Sequence, residues 1–349
     1  MLVSPPPVAV LMSVYNGEAH LREAVDSILA QTFRDFEFII VDDGSTDGTG
    51  AVLQSYADPR IVVLRNERRL RLAGALNHGL RAARSPLVAR VDADDVYSPD
   101  RLAKQMRYMA ANPRVGVASS AYCLMDESRR VTSRQQLPRE DGQIRLMLLW
   151  ASPLCPAAAI YRRELAVAAG GYDEAFWVAQ DYDLWARLAV HTVFANLAEP
   201  LMSVRVHPRS ATASRGADGK ALAHGVSRRV MSRYLGRELP AEEAGALRRL
   251  LCSYGPIVDG SLPLALTLLT GLMVRAEARG ASSAFSWLRK TVSGSLMQRS
   301  ACLARVDTGA SWRLFRRFLR LWPRRAASVS ALKPMAWLLG LRRPRRSAP

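Results

Sequence analysis

A chain of 349 residues, 49% hydrophobic and 23% charged, has room for one large α/β domain and a smaller unit, and its composition excludes wholesale disorder. Cys123, Cys155, Cys252 and Cys302 are scattered without CxxC spacing, so neither a zinc site nor a disulfide framework is indicated and a reducing compartment fits best. The formal charge of +18 is uneven: residues 1–210 carry 24 basic and 24 acidic side chains, so the whole excess lies beyond residue 210, as in a tail that meets an anionic surface.

The segment Met1 to Pro7 has no basic run, so no signal peptide is expected. Val8 to Val14 reads as a buried parallel strand that closes on Tyr15-Asn16-Gly17. Glu18 to Gln31 carries Leu21, Val25, Ile28 and Leu29 at helical spacing. Phe36 to Val41 is a second strand, stopping at Asp42-Asp43-Gly44-Ser45-Thr46-Asp47, a loop into a helix capped by Ser45, Thr46 or Asp47. Ile61 to Leu64 is a third strand, Ala73 to Ala83 a helix, and Leu87 to Val91 a fourth strand ending at Asp92. Helices are expected at Arg101 to Ala111, Gln143 to Trp150 and Asp181 to Ala189, and strands at Val115 to Met125 and Ala157 to Tyr161. Beyond about Ser214 helical, Arg-rich sequence takes over. Its longest apolar stretch, Leu262 to Val274, has 13 residues including Pro263, too short for a transmembrane helix. The alternation predicts an open α/β sheet whose ligands bind beyond the carboxyl ends of the strands, where both acidic clusters fall.

The densest cluster is Arg90-Val91-Asp92-Ala93-Asp94-Asp95, whose crowded carboxylates call for a cation. Hard oxygen ligands suit Mg²⁺ or Mn²⁺ bridging a carboxylate to a diphosphate, whereas the bland reading is an acidic turn capping the next helix. Asp42 and Asp43 could equally be a helix-capping loop; at the same sheet edge they suit the hydroxyls of a ribose or the imide of a base. Asp181 and Asp183 in a helix's first turn have a dipole explanation of their own.

Ser13-Val14-Tyr15-Asn16, Val41 to Asp47, Ala73 to Asn77 and Arg90 to Asp95, in that order over roughly residues 7–210, together resemble the family 2 inverting glycosyltransferases of the GT-A fold. The resemblance implies a Rossmann-like open mixed sheet with flanking helices over residues 1–213, and leaves 214–349 as a basic helical extension. It implies a UDP-, GDP- or dTDP-sugar donor held by Tyr15, Asn16, Asp42, Asp43, Arg71, Asp92 and Ala93. Asp92-Ala93-Asp94 is then the DxD motif, with Mn²⁺ or Mg²⁺ on Asp94, helped by Asp92 and His207. Arg71 reaches the diphosphate or else belongs to a solvated basic stretch with Arg65, Arg68 and Arg69. His207, in Arg205-Val206-His207, completes the metal shell, touches the diphosphate or is structural. Asp181 matches the family's general base, although Gln180 stands where the family usually has Glu. The Gln-x-x-Arg-Trp motif of processive synthases is absent, which favours addition of a single sugar to a glycan or lipid-linked acceptor. The rivals are a catalytically inactive scaffold of this fold in a polysaccharide assembly complex, and a nucleotidyltransferase.

Toward the end, Trp312, Phe315, Phe318, Leu319 and Trp322 fall at helical spacing opposite Arg313, Arg316, Arg317 and Arg320, and Ala336 to Leu339 precedes Arg342, Arg343, Arg345 and Arg346. This is the pattern of an interfacial helix on an anionic membrane, or of a helix packed on the body with arginines in solvent. No nucleic-acid motif accompanies it. The expected location is cytoplasmic, peripheral on the inner membrane's cytoplasmic face.

Overall fold

The computed structural model describes residues 4–207 and 216–252, with isolated positions between 265 and 291. The expected 213/214 boundary and both aromatic-arginine tail segments lie outside the described residues. The chain divides into two compact units, residues 1–148 with 152–226, and residues 149–151 with the chain from 227 onward.

The first unit runs β1 (Val8–Val14), α1 (Glu18–Leu29), β2 (Phe36–Asp42), α2 (Thr49–Gln54), β3 (Ile61–Arg65), α3 (Arg71–Ala82), β4 (Leu87–Asp92), β5 (Val96–Tyr97) and α4 (Arg101–Ala111). It continues through β6 (Val115–Met125), β7 (Val131–Gln135), α5 (Asp141–Met147), a 3₁₀ turn (Pro156–Ala158), β8 (Ile160–Arg162), α6 (Arg163–Ala168), α7 (Gln180–Leu188) and β9 (Val193–Arg205). These strands form one mixed sheet in the order β3-β2-β1-β4-β8-β6-β9-β5, with β7 beside β6. β3, β2, β1 and β4 are parallel, β8 runs against β4 and β6, and β9 is parallel to β6.

The apolar runs explain this arrangement. β1 and β2 are apolar on both faces because helices cover both. Val8, Val10, Met12 and Val14 pack with Leu21, Ala24, Val25 and Ile28 of α1, each burial contributing about 1.5–3 kcal/mol for the larger side chains. On the other face α3 comes so close that a Cβ on Gly79 would sit 2.2 Å from Leu11 Cδ1. The parallel register sets Val14 beside Asp42 and Ser13 beside Asp92, bringing the motifs that end β1, β2 and β4 to one sheet edge.

The expected parallel strands are present, and the departures have local causes. β9, absent from the sequence reading, contains Glu199-Pro200; the proline sits where the register against β6 jumps from Ser120–Leu197 to Ala121–Pro200, a bulge that spares it a ladder donor. The strand expected over Ala157 to Tyr161 opens as a 3₁₀ turn after Pro156, and pairing starts at Ile160. The helix expected over Gln143 to Trp150 starts at Asp141, whose carboxylate holds Arg145 Nε at 2.6 Å and Phe194 N at 2.9 Å, and it ends at Met147.

α8 (Gly216–Leu235) passes into the second unit, which also contains α9 (Ala241–Cys252). Left-handed Gly236 stops α8, its N–H and that of Arg237 both reaching Ser232 O at 2.9 and 3.2 Å. No helix among the described residues is long and apolar enough to cross a membrane.

Candidate active site

The first half of the sheet edge is a lashed pair of loops. Asn16, left-handed at φ 50°, accepts Thr46 N on Oδ1 at 2.9 Å and donates its own N–H to Ser45 Oγ at 2.9 Å. Ser45 and Thr46 thus serve the β1 loop, and none of the three expected residues caps α2: the cap position is Gly48, without a side-chain cap, while Asp47 before it accepts Thr49 N at 3.0 Å. Asp42 Oδ1 accepts Ser45 N at 2.9 Å, and its other oxygen lies 3.8 Å from Arg65. Asp43 Oδ1 takes Asn66 Nδ2 at 2.7 Å and Leu70 N at 2.8 Å, while Asn66 Oδ1 meets His78 Nδ1 at 2.6 Å. Beside them lies a cleft of ≈ 450 Å³ lined by Gly44, Ser45, Thr46, Arg65, Asn66 and Glu67. Tyr15, partly exposed, lies under Arg69, whose guanidinium is 3.8 Å from the ring centre. Arg71 opens α3 in a left-handed conformation, φ 64°, with its side chain exposed.

The second half is built around Asp92, Asp94 and Asp95, at and just beyond the end of β4. Ala93 packs toward the core. Asp92 Oδ1 accepts Arg90 Nη2 at 2.7 Å. Burial and the charges of Asp94 and Asp181 push the Asp92 carboxyl up against the opposing pull of Arg90. Burial, Asp92 and Asp94 push Asp95 well above the usual carboxylate range, although Arg205 N donates to its Oδ1 at 3.0 Å.

Arg205, at the end of β9, clamps this loop. Besides the bond from its N–H, its Nε donates to Asp94 O at 3.0 Å, Nη1 to Glu127 O at 3.4 Å and Nη2 to Glu23 Oε2 at 2.5 Å. Two residues on, His207 Nε2 meets Asp94 Oδ2 at 3.0 Å. The His20 ring stands 5.4 Å from that of His207; burial, then Arg205 and His207, lower its pKa. Asp94 and His207 offer an oxygen and a nitrogen donor side by side; the carboxylate suits either Mn²⁺ or Mg²⁺, and the imidazole favours the transition metal. Among the described residues no three His, Cys, Asp or Glu side chains are grouped to hold a metal by themselves, and Asp92 is turned to Arg90.

Asp181 lies in the first turn of α7, 8% exposed, with Oδ2 3.5 Å from Ser152 Oγ. The preceding Ala179 is left-handed at φ 60°, a conformation that costs an alanine about 1 kcal/mol and re-aims the chain into the helix. Asp183 holds Arg187 Nε at 2.7 Å, and Arg187 Nη2 reaches Gly171 O at 2.7 Å, fixing α7 to the loop before it. The charge of Asp181 acts on both Arg90 and Asp92, so the acid at the start of α7 lies within electrostatic reach of the end of β4.

His20, Glu23 and the clamping role of Arg205 were missed from sequence, and so was Arg69 over Tyr15. His20 and Glu23, three apart on one face of α1, were the available signal.

Residues 9–168 match Glycosyl transferase family 2. EpsE of Bacillus subtilis (strain 168) is 33% identical over 210 residues, covering 58% of this chain and 74% of that protein. The amylovoran biosynthesis glycosyltransferase AmsE of Erwinia amylovora is 32% identical over 203 residues, covering 56% and 75%. Among solved structures, S. aureus TarS 1-349 in complex with UDP-GlcNAc superimposes with a TM-score of 0.58 over 90% of this chain and 91% of that one at 18% identity. The mannosyltransferase PcManGT from Pyrobaculum calidifontis, in complex with GDP-Man and Mn2+, gives 0.50 over 95% and 87% at 21% identity. These likenesses establish the GT-A architecture, a curled open mixed sheet with flanking helices. The sequence relatives establish more: the chain belongs to glycosyl transferase family 2, enzymes that transfer a sugar from a nucleotide-sugar donor.

Proposed function

We propose that this enzyme adds a single sugar to a hydroxyl of a glycan or lipid-linked acceptor, with inversion, and that Asp181 is its general base. The observation that carries the reading is that Asp181, in the first turn of α7, stands within electrostatic reach of Arg90 and Asp92 at the carboxyl end of β4. The nucleoside of a UDP-, GDP- or dTDP-sugar lies in the cleft beside Asp42 and Asp43, with Tyr15 and Asn16 forming its β1 wall and Arg71 at its rim. Asp92, with Ala93 behind it, faces the ribose and sugar. Asp94 and His207 would hold Mn²⁺ or Mg²⁺, which when bound supplies Lewis-acid stabilisation of the diphosphate's charge. Asp181 accepts the proton of the acceptor hydroxyl as its oxygen attacks the anomeric carbon; the bond from that carbon to the diphosphate breaks on the opposite side, releasing a nucleoside diphosphate.

Two further observations support parts of this reading. AmsE is named for amylovoran biosynthesis, which suits a surface-glycan precursor as acceptor. The +18 charge carried beyond residue 210 suits a peripheral position on an anionic cytoplasmic membrane face.

Turnover of a UDP-, GDP- and dTDP-sugar panel with Mn²⁺ tests the reading. A nucleoside diphosphate product supports it, pyrophosphate favours a nucleotidyltransferase, and no turnover of any donor favours the scaffold that Gln180 suggests. Co-sedimentation with anionic vesicles, with and without residues 305–349, tests the membrane position: binding unchanged by truncation removes the tail from it.

A further inference from the structure

Arg90 occupies an unusual place for a charged side chain. It lies within β4, 3% exposed, two residues before Asp92 and therefore on the same face of the sheet. A guanidinium carries five N–H donors and no acceptor. Arg90 spends Nη2 on Asp92 Oδ1 at 2.7 Å, and its Nε is buried without a partner. Buried donors are almost always satisfied, so an orphan beside a candidate active site marks a place for a ligand oxygen. The surroundings narrow the ligand. Asp92 is hydrogen-bonded to Arg90 and Asp181 lies within electrostatic reach of it, as does the buried Tyr172, whose hydroxyl is 3.3 Å from that of Tyr161. With two carboxylates already present, another anion is disfavoured there, while a neutral oxygen with lone pairs for Arg90 and a proton for Asp92 fits. A sugar hydroxyl is that group.

We infer that Arg90 and Asp92 act as a donor–acceptor pair that reads adjacent oxygen substituents on the transferred sugar, making Arg90 a specificity residue for the donor's glycosyl part. The inference rests on the transferase reading above. It separates Arg90 from the residues at the nucleoside cleft, which touch a part of the donor common to every sugar carried on the same nucleotide.

The test is calorimetric titration of the full chain and of Arg90→Lys with UDP, GDP, UDP-GlcNAc and GDP-Man, extended to whichever nucleotide-sugar the donor panel selects. Arg90→Lys is expected to weaken the nucleotide-sugar on the order of 10- to 100-fold, as for loss of a hydrogen bond to a charged group, while leaving the matching nucleoside diphosphate unchanged. In parallel, a donor lacking the hydroxyl that Arg90 reads is expected to bind the unaltered chain more weakly but Arg90→Lys no worse than the parent sugar. Equal weakening of sugar-bearing and sugar-free nucleotides, or no weakening, overturns the inference, because a residue that merely braces Asp92 does not distinguish them. If Arg90→Lys fails to fold, a structure of the unaltered chain with bound nucleotide-sugar decides: a guanidinium nitrogen within about 3.2 Å of a sugar oxygen supports the pair, and a guanidinium with no sugar oxygen in hydrogen-bond reach overturns it. If no nucleotide-sugar binds the unaltered chain, the transferase reading itself fails and takes this inference with it.

Discussion

The two halves of the sheet edge carry similar numbers of acids and treat them in opposite ways. Asp42 and Asp43 are answered from within, by Ser45 N, Asn66 Nδ2, Leu70 N and the nearby Arg65. The Asp92–Asp95 half is left short of compensation: Asp92 and Asp95 are pushed up, and Arg90 Nε has no partner. A half whose bonds close on themselves shapes a cleft; a half with charge and donors outstanding is built for a ligand that completes it.

That contrast can be broken most forcefully at Asp181. Asp181→Asn should lower turnover roughly 10²- to 10⁴-fold with an unchanged melting midpoint; turnover near the parent level removes the base assignment. At the nucleoside half the penalty should appear in stability. Asp43→Ala strands Asn66 Nδ2 and Leu70 N, costing about 2–3 kcal/mol, read as a shift in the urea midpoint. Arg205→Met should leave metal-free nucleoside diphosphate binding alone and weaken activation by Mn²⁺ about 10- to 100-fold, the usual effect of losing a group that orients a metal ligand.

A control lies away from the carboxyl edge, near the start of β2. Burial works to raise the Glu37 carboxyl, but Ser85 Oγ and the N–H groups of Arg84 and Ser85 outweigh it and hold it below the ordinary 4.5. Its contribution is therefore complete above pH 4.5 and lost as pH falls through the lower folded value, so acid titration should narrow the stability gap between the parent and Glu37→Gln. The smallest effect expected is at Ala179. Replacing it with Gly relieves the left-handed strain, for a net stability change of no more than about 1 kcal/mol, and should loosen the aim of α7, seen as a lower kcat at unchanged KM.

Sequence periodicity served the first half of the edge better than the second. β1, β2, β3 and β4 are short apolar runs bounded by turn residues, so strand, helix and motif could be placed on one edge before any coordinates. Asp92, Asp94 and Asp181 were identifiable because three acids at a strand end and one at a helix start are local patterns. Arg205 was not, because its four partners are drawn from α1, the β4–β5 loop and the β6–β7 turn, up to 182 residues away. β9 was hidden for another reason: Pro200 breaks its pattern midway, and only pairing with β6 turns the break into a bulge.

That bulge and a second one between Ala121 and Cys123 together set the phase of the end of β9. Arg205 closes β9 and His207 follows two residues beyond it, and both meet Asp94. The extra residues between Leu197 and Ser203 act as a spacer whose length decides which side chains face Asp94. Removing one residue there could preserve a continuous strand yet present Val204 and Val206 to the carboxylate instead. Length variation in this stretch is therefore a route by which a fold of this kind could keep its sheet and part Arg205 and His207 from Asp94 in one step.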